Sequence, residues 1–61
     1  MWIKTNTGYS NTDNVEKISY QENRGTILEY ANGFEIISSS NIVEDVIREI
    51  MLGREIMEVH F

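Results

Sequence analysis

The sequence has no cysteine, no proline, a single histidine, and half as many basic as acidic side chains. Without cysteine there is no disulfide framework and no thiolate metal site, so the usual covalent and metal supports of a very small domain are excluded. The same absence fits a reducing compartment, and a cytoplasmic protein is expected. Without proline, the density of Asn, Gly and Thr points to hairpins closed by residues that tolerate open backbone angles. No apolar run approaches the roughly 18 residues of a membrane span, and Met1-Trp2-Ile3-Lys4 is not a basic region leading into a long apolar one. A soluble, unprocessed chain with no membrane partner is expected. Lys4, Lys17, Arg24, Arg48 and Arg54 are dispersed and leave a net charge of −5, which opposes direct binding to a nucleic-acid backbone. An acidic surface suits a basic protein partner, and it also keeps a small protein soluble.

At 61 residues there is room for one domain, spanning residues 1–61. A chain of that length buries only roughly 60% of the surface its unfolded form exposes. Asn32-Gly33 lies between the apolar-rich segments 26–31 and 34–37, the strongest short hairpin signal, because a type I′ turn needs two positive φ angles. Asn23-Arg24-Gly25 joins residues 15–21 to that hairpin, with Gly25 suited to the left-handed position of a three-residue loop. A three-stranded meander follows. Thr7-Gly8 and the polar run 10–14 separate it from a first strand at residues 2–5.

After the meander the period changes. Ile42, Val43, Val46, Ile47, Ile50 and Met51 recur as on one face of a helix. Asn41 and Glu44 resemble a capping pair, Gly53 suits the helix C-terminus, and Glu44 and Arg48 are spaced as an i,i+4 pair. Beyond Gly53, the alternation of Met57, Val59 and Phe61 reads as a last strand, although Ile50, Arg54, Met57 and Phe61 also fit a continuing helix. The fold class is α+β: a small antiparallel β-meander of three to four strands, one amphipathic helix and a C-terminal strand.

Alternation places Ile18, Tyr20, Leu28, Tyr30, Phe34 and Ile36 on one face of the meander, under the helix. The other face keeps Val15, Ile27 and Ile37, with Trp2 or Ile3 nearby. One helix cannot cover both faces, and each such side chain gains about 1.5–3 kcal/mol on burial. A homodimer is therefore expected, with Ile27, Ile37, Met57, Val59 and Phe61 between the chains.

Chemistry-bearing constellations are sparse. His60 stands alone, so neither a two-histidine metal site nor a held Ser-His-acid triad can form within one chain. Glu44, Asp45, Glu49, Glu55 and Glu58 lie opposite the apolar stripe, as a solvated helix face does. Tyr20 and Tyr30 fall on the core face, which takes them away from base stacking. Ser38, Ser39, Ser40 and Asn41 enter the helix, where free N–H groups and hydroxyls can hold an anion, and paired copies could hold a nucleotide. Such residues are also ordinary caps. No glycine-rich nucleotide fingerprint is present. No enzyme activity, cofactor or metal is expected.

Gly8, Asn11 and Asp13 ahead of Val15 and Ile18, then Thr26-Ile27-Leu28, Asn32-Gly33, Ile36-Ile37, a serine and Val46-Ile47-Arg48-Glu49-Ile50 resemble the small FlbD-type proteins associated with bacterial flagella. The resemblance covers roughly residues 3 to 52 and implies a motility accessory role with no catalytic residues. In size, acidity and lack of an active site the chain is also similar to small phage-encoded proteins that disable a bacterial host or defence protein. Surplus apolar surface on an acidic module favours this second, partner-binding expectation.

Overall fold

A computed structural model describes residues 1–60 as two three-stranded sheets and one helix. In the first sheet, β1 (Trp2–Thr5) and β2 (Gly8–Asn11) form a tight antiparallel hairpin in which Thr5 pairs with Gly8. The Thr5 hydroxyl holds this turn, accepting the Thr7 N–H and donating to the Gly8 carbonyl at 3.3 Å each. A 3-10 turn, Thr12–Asn14, follows, with the Asn11 side chain accepting the Asp13 N–H at 2.9 Å. The second sheet is the meander β3 (Lys17–Gln21), β4 (Gly25–Tyr30) and β5 (Gly33–Ser38), antiparallel throughout. Helix α1 (Val43–Met51) then carries the chain back to β6 (Ile56–Glu58), which pairs parallel to β1 and completes the first sheet. No helix among the described residues is long and apolar enough to cross a membrane.

The α+β class, the meander, the helix and the last strand thus stand as expected. Two features differ. The polar stretch expected to be a loop contains β2, whose Gly8, Ser10 and Asn11 have low strand propensity. They are held in register by backbone pairing with β1 and by a two-residue turn. The second difference is the register of the central hairpin. Tyr30 pairs with Gly33, so Ala31 and Asn32 are the central turn residues and Gly33 opens β5 at φ +155°. No non-glycine residue among those described has positive φ, so the turn is not type I′. Moving a two-residue turn by one position shifts the pairing by two residues, so it changes the partners but leaves each side chain on its own face. Phe34 and Ile36 do not share the expected face with Leu28. They pair with Glu29 and Ile27 and so lie on the other side of the sheet, as alternation requires with either two-residue turn. Phe34 is exposed, under the Arg24 guanidinium at 5.4 Å.

Ile37, two residues beyond Glu35, lies on the Leu28 face and enters the core beside a β-bulge. Ile27 pairs with Ile36 but Thr26 pairs with Ser38, leaving Ile37 as the extra residue. The core is one cluster: Ile3 from β1, Leu28 from β4, Ile37 from β5, Val46 from α1, and Val59 just past β6. Met1, Val15, Ile18, Tyr30, Ile42 and Met57 pack around it, partly buried.

Gly25 fills the expected left-handed position at φ +113°, and a Cβ built there would overlap the Ser38 carbonyl of the neighbouring strand. Both backbone strain and steric overlap oppose any side chain. Gly25→Ala is expected to destabilise the fold by more than about 2 kcal/mol, measured as a lowered urea midpoint at unchanged slope.

Candidate functional site

Of the five residues expected between two chains, the four that are described are buried or partly buried within their own chain. Ile37 and Val59 are core residues of their own chain, and Met57 is packed against that core. Ile27 is also buried, on the other face of β4. Phe61 lies outside the described residues. The reason is topological: β2, β1 and β6 assemble a second sheet whose inner residues Ile3 and Met57 meet the meander, so much of the cover expected from a second copy comes from this chain.

The serine-rich entry to α1 is an internal brace. The Thr26 hydroxyl, fully buried, donates to the Ser40 carbonyl at 2.6 Å and accepts the Ile42 N–H at 2.9 Å. Ser38 Oγ accepts the Ser40 N–H at 3.1 Å, and Asn41 Oδ1 accepts the Val43 N–H at 3.3 Å. Ser38 is buried, whereas Ser39, Ser40 and Asn41 are exposed. The N-cap position falls on Ile42, one residue later than the expected Asn41, with no side-chain cap bond. Arg48 pairs with Asp45 at 2.7 Å instead of with Glu44, because i,i+3 neighbours also meet on a helix surface. The open cleft beside the helix start is lined by Ser19, Tyr20, Asn41, Val43, Glu44 and Asp45. Its two carboxylates make it unfavourable for an anion. Thr26→Val keeps the shape but strands the part-buried Ser40 carbonyl and Ile42 N–H. A loss of about 1–3 kcal/mol is expected, read by chemical denaturation together with fraying of α1 in the circular dichroism spectrum.

The remaining ionisable groups are mostly on the surface. Lys4 and Glu58 lie 3.7 Å apart across the first sheet, and Arg54 and Glu49 lie 3.9 Å apart at the end of α1. Between the sheets, Ser10 and the Tyr30 phenol both donate to Glu35 Oε1, the latter at 3.1 Å. Burial, then the adjoining Glu35 carboxylate, pushes the Tyr30 phenol above its ordinary range. His60 is exposed. Among the described residues no three His, Cys, Asp or Glu side chains are grouped to hold a metal ion.

Two exposed apolar surfaces stand out. On α1, Ile47, Met51 and Leu52 line a shallow groove with Glu44 and Arg48; Met51 is 82% and Leu52 61% exposed. On the outer face of the first sheet, Trp2, Tyr9 and Ile56 form a cup and are 47%, 60% and 59% exposed. Both are legible in outline from the spacing of the residues. At about 100° per residue, Ile47 and Met51 lie roughly 100° and 140° around the helix from Val46, too far to share its burial. Strand alternation likewise puts Trp2 opposite the buried Ile3. No protein-family model, no curated protein and no solved structure matches the chain.

Proposed function

We propose that this chain is a non-enzymatic protein-interaction module, a small acidic inhibitor of the phage-encoded type that engages a bacterial host or defence protein through helix α1. The observation that carries this reading is the apolar groove of Ile47, Met51 and Leu52 bordered by Glu44. Asp45 holds Arg48, so Glu44 is the free charge at the rim. Exposed methionine and branched aliphatic side chains adapt to a partner's surface, and their desolvation supplies affinity. A carboxylate at the rim favours a basic neighbour and accelerates encounter.

The groove is poorly suited to a second copy of itself. In an antiparallel helix pair centred on the groove, Glu44 would face apolar Met51 or Leu52, and Arg48 would approach its own symmetry mate. Both arrangements leave charge without a partner. The occupant with the right chemistry is a foreign surface offering an apolar side chain next to Lys or Arg. The serine brace and the acidic cleft at the helix start argue against the alternative of a nucleotide held there.

Immobilised native protein is expected to retain one bacterial protein in stoichiometric amount. Met51→Lys should weaken that complex at least about tenfold, as loss of a central apolar anchor does, while leaving the melting temperature unchanged. Met51→Leu should preserve binding. A captured protein that binds the native chain and Met51→Lys equally would overturn the assignment to this groove.

A further inference from the structure

The parallel ladder between β1 and β6 leaves one side of β6 open. Trp2 N–H donates to the Glu55 carbonyl and Val59 N–H donates to the Lys4 carbonyl, each at 2.8 Å, with Trp2 opposite Ile56 and Lys4 opposite Glu58. In a parallel pair with this register, the residues that bond to β1 are Glu55, Met57 and Val59. The N–H and C=O of Ile56 and Glu58 therefore point away from the sheet, and no strand among the described residues flanks β6 on that side. β6 is a short edge strand of three residues whose one charged side chain is Glu58, with no lysine or proline to block pairing. The outer face beside it is apolar, formed by Ile56 itself and by Trp2 and Tyr9.

We infer that two copies of this chain pair antiparallel through their β6 edges about a two-fold axis at Ile56, joining the two first sheets into one six-stranded sheet. The choice of a second copy rests on charge complementarity in one register. With Ile56 opposite Ile56 of the other copy, Glu58 of each falls opposite Arg54 of the other, giving an apolar contact on the axis and two opposite-charge pairs flanking it. The neighbouring register that also satisfies the backbone sets Ile56 against Glu58 twice and gains neither. Arg54 and Glu58 are able to re-pair because both are exposed and their in-chain partners, half-buried Glu49 and exposed Lys4, stand at 3.9 and 3.7 Å. The edge contributes the reciprocal Ile56 N–H to C=O bonds, and the Trp2 rings lie one strand away on either side of the axis. Such a contact falls at the small end of protein interfaces, so the dimer is weak and reversible, forming at concentrations on the order of 100 µM. It uses a surface separate from the α1 groove.

The test is sedimentation equilibrium of the full chain, with circular dichroism confirming the fold of each variant. The native chain is expected to show a concentration-dependent dimer. Ile56→Lys and Ile56→Glu each place like charges at the axis and should weaken dimerisation at least about tenfold. An equimolar mixture of the two should recover it, because Lys then faces Glu across the axis. Met51→Lys should leave the association unchanged, which keeps this result distinguishable from failure of the α1 groove. A native chain that stays monomeric up to ~1 mM, an Ile56→Lys variant that dimerises like the native chain, or a mixture that remains monomeric would each overturn the inference.

Discussion

The pairing of β6 with β1 is the contact on which the rest of this small structure depends. It joins segments at opposite ends of the described chain, with Trp2 against Ile56 and Lys4 against Glu58. Closing so long a loop costs entropy, though only logarithmically in its length. Two consequences follow from the closure. Val59 is delivered into the central cluster beside Ile3, Leu28, Ile37 and Val46, and β1 gains a second neighbour, so that an isolated hairpin becomes a three-stranded sheet able to pack on the meander. A two-stranded hairpin alone is at best marginally stable in water. The meander would then keep an uncovered apolar face.

The turn at the end of α1 aims the chain at that pairing. Gly53 adopts φ +75°, its N–H bonds to the Ile50 carbonyl at 3.0 Å, and Arg54 N–H reaches back to the Glu49 carbonyl at 3.1 Å. These two bonds are the Schellman arrangement, which satisfies the last helical carbonyls while reversing the chain. The apolar contact that often accompanies it is replaced here by Arg54 against Glu49. At the other end of the helix the Thr26 hydroxyl fixes the entry. With both ends tied, Val46 is held inward, and the next apolar positions around the cylinder, Ile47 and Met51, face solvent.

Local and non-local features are legible in the sequence to different degrees. The change of period after Ser40, the left-handed Gly25 and the stop at Gly53 are properties of a few adjacent residues, and the amino-acid order alone reveals each of them. The strand character of β2 is hidden, because Gly8, Ser10 and Asn11 become a strand only through β1. Asn32-Gly33 marks a real hairpin but with the wrong central pair; the offset slides the partners by two residues, and Phe34 and Ile36 belong to the face opposite Leu28 with either turn. Ile37 reaches the core because it alternates with Ile36, and the bulge beside it sets Ser38 against Thr26. What alternation leaves open is which element covers each face. For the same reason the expected interface residues Ile27, Ile37 and Val59 are interior. Counting apolar residues against one helix is sound, but the covering element is a second sheet built partly from polar sequence.

The surplus that remains on the surface is a consequence of size. A domain of this length has a large ratio of surface to volume, and among the described residues its central cluster holds five buried apolar side chains, while Trp2, Tyr9, Ile47, Met51, Leu52 and Ile56 stay exposed. Their distribution is what gives the surplus a direction. Around α1 the apolar groove has a free acid at its rim and no self-complementary arrangement of charge, which is why a foreign basic surface is the occupant we propose. Along β6 the apolar cup adjoins open backbone groups and one residue of each charge spaced symmetrically about Ile56, so a second copy satisfies it best. Because the two surfaces lie on different elements and ask for different chemistry, occupation of one leaves the other open. A weak dimer presenting two α1 grooves would bind a multivalent target more tightly than either groove alone, through effective concentration and with no additional contact.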